Sequence, residues 1–527
     1  MIASRWTEVP RIALLAIAVA AGNLDTALGQ IERASAIDIG GRRELFVDDY
    51  LIERLEGGAR LRLHAPVPRE RVMEFDRPWE GASSLYHSIF RENDRYRMYY
   101  RGSHLRFADG KLEERPHPYY HCYAESQDGI HWIRPVVEAF EIDGSKQNNV
   151  VLASGAYDGF EFKFGDAASM FRDENPAAKP AERYKAIVRY YDRSNGRNGL
   201  MAFKSADGLN WSPITTEFVL TGDPFDSQNL AFWDSVRGEY RAYWRGSTPA
   251  PGTPRGKVRS IRTAVSRDFI HWERKAEVSY LDSPPEEIYT NQIGPYHRAP
   301  HIFIGLPTRY VERPDSPYLS ELPEREHREM RTRAMARTGY AMTEGLLMAS
   351  RDGVKFKRWN EAFLRPGIER EGTWNYGHQY IAWHLVETKS ALEGAPDELS
   401  LYASESYWTG NSSALRRYTL RLDGFVSVEA PMSGGELVTR PLRFKGKHLA
   451  MNFATSAAGS VRIEIQDSGG KPHAGFSLAD CPPAFGDSID RRVQWKTGPD
   501  VSALAGKTVR LRFVIEDGNL YSYQFQD

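Results

Sequence analysis

Four segments of this chain share one pattern, Ser-x-Asp with an aromatic residue four positions after the aspartate. No other feature restricts the fold so strongly. The copies read Ser126-Gln-Asp128-Gly129-Ile-His-Trp132, Ser205-Ala-Asp207-Gly208-Leu-Asn-Trp211, Ser266-Arg-Asp268-Phe-Ile-His-Trp272 and Ser350-Arg-Asp352-Gly353-Val-Lys-Phe356. Their starts lie 79, 61 and 84 residues apart, wider than the ~40–50 residues of common propeller repeats. Asp bonds nearby backbone N–H groups and Gly accepts positive φ, so each copy predicts a tight turn between two strands. An apolar strand precedes each, such as Leu200-Met-Ala-Phe203 or Ile261-Arg-Thr-Ala-Val265.

A second repeat, Tyr-basic-x-x-x-Arg, stands upstream of three turns: Tyr96 to Arg101, Tyr184 to Arg189 and Tyr240 to Arg245. Another apolar segment comes before each of these. Four strands per unit in antiparallel rhythm make a propeller blade. A fifth unit without the Asp turn is readable from Tyr376 through Leu399-Ser-Leu-Tyr-Ala403 to Arg416–Arg421, and Glu44-Leu-Phe-Val-Asp-Asp49 is expected to help close the ring. After Leu422-Asp-Gly424 the rhythm changes. Ser433-Gly-Gly435 reads as a linker, and Val461–Ile465 and Val509–Ile515 alternate as strands. The expected architecture is all-β, a five-bladed β-propeller over residues 30–432 followed by a jelly-roll-like β-sandwich over 433–527. The charged stretch from Pro314 to Arg337 is expected to be a surface helix or loop inserted in blade four.

Lys+Arg of 69 against Asp+Glu of 70 gives a net charge of −1, which points to neither nucleic acid nor an anionic membrane as partner. Arg5 and Arg11, the apolar run Ile12–Ala21 and the small residues Ala27-Leu-Gly29 read as a signal peptide cleaved before Gln30. That run is shorter than the ~20 residues of a spanning helix. The expected location is therefore secreted or periplasmic, with no membrane insertion after cleavage. Cys122 and Cys481 fall in different expected domains and read as buried free thiols.

In a propeller the loops leading into the innermost strands converge on one face, so their polar residues are the candidates for a site. These are Glu80, Tyr86 and His87 in blade one, Asp166 in blade two, and Asp226 with Asn229 in blade three. Blade four adds Glu287, Tyr289, Asn291 and Gln292, and blade five Trp374, His378 and Gln379. Carboxylates converging among aromatics and amides suit glycoside hydrolysis, where one acid protonates the leaving oxygen and another attacks or activates water. Asp166, Asp226 and Glu287 are the expected catalytic acids, and the other residues are expected to bind a carbohydrate substrate. Arg101 and Arg245 either read an anionic group on that substrate or bridge blades through the turn aspartates; Arg189 shares the position. The four turn aspartates are structural. Neither cofactor nor metal is expected.

Several segments carry a resemblance to secreted bacterial five-bladed propeller glycoside hydrolases. They are Leu45-Phe-Val-Asp-Asp-Tyr-Leu-Ile52, Asp143-Gly-Ser-Lys-Gln-Asn-Asn-Val150, the four Asp turns, Leu422–Ser427 and Gly475–Cys481. The chain is similar to the invertase/levanase-like enzymes, which carry a C-terminal β-sandwich, and to the arabinanase/xylosidase-like enzymes. The resemblance implies a propeller and hydrolase chemistry. It departs from the invertase pattern, because Asp223-Pro224 lacks the preceding Arg and the third blade presents Asp226 where that pattern has Glu. Two other functions fit the same residues: a non-catalytic glycan-binding propeller, and a polysaccharide lyase acting on a uronate.

Overall fold

The computed structural model describes residues 36–113, 117–157, 160–163, 167–192, 194–253 and 255–527. The expected leader, residues 1–29, and Asp166 lie outside the described residues. The described chain divides into two compact units, one within residues 63–425 and one combining 36–62 with 426–527.

The first unit is a five-bladed β-propeller. Blade one pairs Leu85–Glu92, Arg95–Gly102, Tyr120–Ser126 and Trp132–Ile133, and blade two Ser169–Arg172, Tyr184–Asp192, Arg197–Ser205 and Ser212–Pro213. Blade three is Leu230–Asp234, Glu239–Pro249, Lys257–Ser266 and Trp272–Glu277. Blade four comprises Ile293–Tyr296, Ala299–Gly305, Met348–Ser350 and Lys355–Arg358. Blade five takes Val386–Thr388, Glu398–Glu405 and Ala414–Leu420 from its own sequence and Val67–Glu74 from the start of the unit. That borrowed strand closes the ring. A parallel bridge between Ser88 and Trp383 joins the first and fifth blades on the inside. Residues 44–49 do not close it; Glu44–Leu45 pairs with Ser522–Tyr523 in the other unit.

Each Ser-x-Asp segment is the turn between the two outer strands of its blade, as Ser126↔Trp132 and Ser266↔Trp272 show. Asp128 Oδ1 accepts the N–H groups of Ile130 and His131, each at 2.8 Å, and Ser126 Oγ accepts that of Gly129 at 2.9 Å. The other three turns repeat this wiring. The glycines have a further reason. The Tyr402 hydroxyl of blade five donates to the Gly129 carbonyl at 2.6 Å, Tyr99 of blade one to Gly208 at 3.0 Å, and Tyr243 of blade three to Gly353 at 2.8 Å. A Cβ on Gly208 would stand 2.4 Å from the Tyr99 hydroxyl. Blade two carries Ile187 at the latching position, and the turn it faces has Phe269, at φ +68, in place of glycine. Tyrosine with glycine and isoleucine with phenylalanine fill the same gap between blades.

Apolar residues between blades form continuous clusters, one of them around Phe232, Trp244, Phe303 and Trp383, each at most 4% exposed. Burial of that kind contributes ~1.5–3 kcal/mol per large side chain. The second unit is built on an eight-stranded sheet in which two long strands, His448–Gln466 and Arg510–Gln526, pair antiparallel. Its core gathers Phe46, Leu437, Phe453, Trp495, Phe513 and Phe525. Cys122 and Cys481 are both buried and free. Among the described residues no helix is long and apolar enough to cross a membrane.

Candidate active site at the propeller mouth

Each inner strand is approached through at least one non-glycine residue in left-handed conformation: Tyr86 (φ +60), Ala167 (+69), Phe225 (+52), Gln292 (+42) and, in blade five, Trp374 (+58), Gln379 (+65) and His384 (+77). Such conformations cost of order 1–3 kcal/mol each and persist where the surroundings over-determine them. Here Gln228 supplies much of that restraint. Its amide donates to the carbonyls of Tyr86 at 3.2 Å and Ala168 at 3.4 Å, and its carbonyl accepts the Gln292 amide at 2.8 Å. Four blades thus meet at one buried side chain.

Above Gln228 lies an aromatic and cationic cluster. Tyr289 stacks on Tyr380 with ring centroids 5.2 Å apart, and its hydroxyl is 2.6 Å from that of Tyr376. The Arg245 guanidinium covers the Tyr289 ring at 4.2 Å and Arg259 approaches it at 5.0 Å. Arg245 also binds Asp226 at 2.7 Å and the Tyr289 carbonyl at 3.1 Å. Arg259 binds Glu287 Oε2 at 2.8 Å, and Arg255 stands 3.7 Å from the other oxygen. The two carboxylates therefore flank one tyrosine, each through an arginine. They differ in access: the Asp226 side chain is 48% exposed and that of Glu287 20%.

Burial alone would raise the Tyr289 phenol, but Arg245, the hydrogen bond with Tyr376 and Arg259 bring it below the ordinary tyrosine value. Tyr376 is pushed well above it by burial and by Tyr289. Neighbouring phenols with diverging pKa values divide the roles of base and acid. Tyr289 is the more acidic of the two, and either hydroxyl can donate in the bond between them.

Other sequence candidates belong to the scaffold. Glu80 is buried and its oxygens are taken by Arg134 at 2.8 and 2.9 Å, so it is not a substrate ligand. His87, buried against Phe75 and Tyr100, has its pKa lowered to about 3 by burial and by Arg101. His378 is likewise lowered to about 3 by burial, and its Nδ1 accepts the Trp374 N–H at 3.1 Å. Asn229 donates to the Ala167 and Phe225 carbonyls, both at 3.1 Å. Gln379 donates to the Tyr418 hydroxyl at 2.9 Å, and the Trp374 indole to the Gly367 carbonyl at 2.9 Å. Asn291 donates to the Gln228 carbonyl at 3.4 Å. These residues shape the mouth from below.

Tyr86 and Arg101 do reach the mouth. The Arg101 guanidinium lies between the rings of Tyr86 and Tyr119, at 4.7 and 4.9 Å, and donates to the Ser83 carbonyl at 2.9 Å and the Tyr407 hydroxyl at 3.4 Å. Arg189 turns aside to Asn198 at 2.9 Å. The turn aspartates meanwhile bond within their own turns, so the arginine series is not a set of links to them.

The sequence reading missed Arg259, Tyr380, Tyr407 and Trp408, and it gave no role to Gln228 and Tyr376, which lie inside its candidate segments of blades three and five. Tyr407 and Trp408 come from the loop between the second and third strands of blade five, a class of loop that the convergence argument had left out. The 314–337 stretch also differs from expectation. It holds a helix, Arg325–Ala334, followed by a short one, Ala336–Tyr340, and its Arg328 and Arg331 are buried instead of facing water. Met330, Ala334 and Met335 pack against Tyr376, Tyr407 and Trp408 at the mouth.

A cavity of about 610 Å³ opens toward the far ends of the inner strands, lined by Phe90, Phe171, Phe232, Tyr296 and His384. Asp226, Glu287 and the arginines around Tyr289 do not line it. Among the described residues no group of three His, Cys, Asp or Glu side chains is placed to hold a metal ion.

No family model and no curated protein matches the chain. Among solved structures it is similar to an N-acetylgalactosamine deacetylase from F. plautii in complex with blood group B trisaccharide. That likeness has 12% identity and a TM-score of 0.38, over 88% of this chain and 96% of that one. It is similar to a glycosyl hydrolase from Bacteroides ovatus at 14% identity and TM-score 0.36, over 69% and 96%. A family 43 arabinoxylan arabinofuranohydrolase from Bacillus subtilis, in complex with cellotetraose, matches at 10% identity and TM-score 0.31, over 86% and 96%.

Proposed function

We propose that this protein is a glycoside hydrolase whose carbohydrate substrate docks at the mouth of the propeller. The observation that carries the reading is the Tyr289 phenol, held between Arg245 and Arg259, hydrogen-bonded to Tyr376 and neighboured by the exposed Asp226 carboxylate. A phenolate can replace the usual carboxylate as nucleophile in glycosidic cleavage. Tyr289 attacks the anomeric carbon while Asp226 gives a proton to the leaving oxygen; water then displaces the phenol with Asp226 as base. Glu287 fixes Arg259 and so keeps the phenol acidic. Asp166 remains the third candidate acid from the sequence. The expected leader would carry the enzyme out of the cytoplasm, which N-terminal sequencing of the mature protein tests.

The role of Asp226 has its own test. An acid matters only when the leaving group is poor. Asp226→Ala should lose ~10²–10⁴-fold on a glycan and far less on the matching dinitrophenyl glycoside. Equal losses on both would exclude the role. The same residues favour a second reading, lyase chemistry, in which Tyr289 abstracts the C5 proton of a uronate whose carboxylate the arginines neutralise. A lyase product absorbs in the ultraviolet and a hydrolase product does not.

A further inference from the structure

Arg331 sits on the 325–334 helix with 0% exposure, and among the described residues none of its three guanidinium nitrogens has a hydrogen-bond partner. Its guanidinium carbon lies over two aromatic rings, Phe107 at 5.5 Å and Trp408 at 6.0 Å from the ring centres. The Trp408 indole N–H, 8% exposed at the residue level, is also without a partner. So are the Nε of Arg328 one helical turn away and the hydroxyl of Tyr380. The carboxylate that acts on Arg331 through space, Glu324, makes no hydrogen bond with it and accepts instead from the Gly372 N–H and the Asn375 amide. A charge enclosed without a bonded counter-ion is strongly destabilising, and neighbouring unsatisfied donors add to that cost. Arg331 and Trp408 lack one kind of partner, an acceptor of hydrogen bonds that carries negative charge.

This pair is close to the reacting groups. Trp408 packs on Tyr376 at 5.1 Å, and Tyr376 is bonded to Tyr289. Trp408 also stacks on Tyr407, whose hydroxyl accepts from Arg101. We propose that Arg331 and Trp408 form an oxyanion subsite that reads a carboxylate or sulfate substituent on the glycan. Arg331 offers the planar donor fork that binds such groups bidentately, and the Trp408 N–H supplies a further donor. The substrate is thus an acidic glycan, and access to the buried fork comes through displacement of the Trp408 and Phe107 rings. This inference rests on the glycan-cleaving reading of the same mouth.

The test is calorimetric titration of the mature chain carrying Tyr289→Phe, which blocks turnover. The titrants are uronate-bearing and sulfated oligosaccharides, their carboxyl-reduced or desulfated counterparts, and sodium sulfate alone. The acidic form should bind at least about tenfold more tightly, a difference of ~1.4 kcal/mol. Adding Arg331→Met should erase that preference, and Trp408→Phe, which keeps the ring and removes the donor, should reduce it. The thermal midpoint of Arg331→Met should hold or rise, since an enclosed unpartnered charge is gone. Equal binding of acidic and neutral forms would overturn the inference and leave the hydrolase standing. So would a preference that survives Arg331→Met, or Arg331-dependent binding of free sulfate without binding of acidic glycans. Absence of binding to every glycan would remove both readings.

Discussion

The hydroxyls of Tyr289 and Tyr376 are 2.6 Å apart, yet two guanidiniums attend one ring while burial dominates the other. That asymmetry makes Tyr289 the more acidic phenol and, on the proposed reading, the reactive one. Tyr289→Phe keeps the stacking on Tyr380 and should lower kcat by ~10²–10⁴-fold. If the phenolate is the working form, activity rises with pH through its pKa. Arg245→Met or Arg259→Met should therefore move that limb to higher pH, and an unshifted limb in both would take the role from Tyr289. Glu405 illustrates a different use of charge. It is enclosed among Arg71, Arg370 and Arg416; burial would raise its pKa, but their hydrogen bonds lower it to about 2. Glu405→Gln should cost ~1.5–3 kcal/mol in urea unfolding, because charge-assisted hydrogen bonds to a buried carboxylate are lost while the partly exposed arginines regain water. The sequence displayed Asp226, Glu287 and Tyr289 because all three sit just before or within the approach to an inner strand. It concealed Arg331 and Trp408, whose placement depends on an inserted helix folding back over the mouth.

At the scale of elements, the recurrent turn is both a hairpin corner and a socket for the neighbouring blade. The hairpin role was legible, since Ser-x-Asp states its own hydrogen bonds. The socket was not, because the tyrosine that fills it lies in another blade, about 110 residues away for Tyr99 and Gly208. Tyr99→Phe, Tyr243→Phe and Tyr402→Phe should each cost ~1 kcal/mol in chemical unfolding. Gly208→Ala should cost more than Tyr99→Phe, since it meets a positive φ of 81° and a hydroxyl 2.4 Å from the new carbon. If Gly208→Ala were neutral, the socket account would fail.

For the propeller unit as a whole, closure is the main structural event. Blade five is completed by Val67–Glu74, so the chain's first strand in this unit is its last to be needed. The sequence told of a ring through its repeats but pointed to the wrong closing segment. Residues 44–49 carry the continuous apolar run Leu45-Phe-Val47, whereas 67–74 hold Pro68 and four charged residues, so local pattern favoured the wrong segment. Buried histidines add an acid sensitivity. His87, His121, His378 and His384 are each lowered to about 3, with burial the leading cause. The unfolded chain binds their protons below ~6.5, so their stability is present above that pH and is lost as pH falls toward 3. The urea midpoint should drop across that window before Glu405 contributes a second loss, from ~4.3 down through about 2. A flat midpoint from pH 7 to 4 would contradict this. The central claim, a sugar-cleaving site at Tyr289, is tested most directly by reducing-end release. Residues 30–527 and their Tyr289→Phe variant would be compared on neutral, uronate and sulfated polysaccharides. The account predicts new reducing ends without ultraviolet absorbance from the native chain and near silence from the variant. Silence from both, or equal release by both, would contradict it.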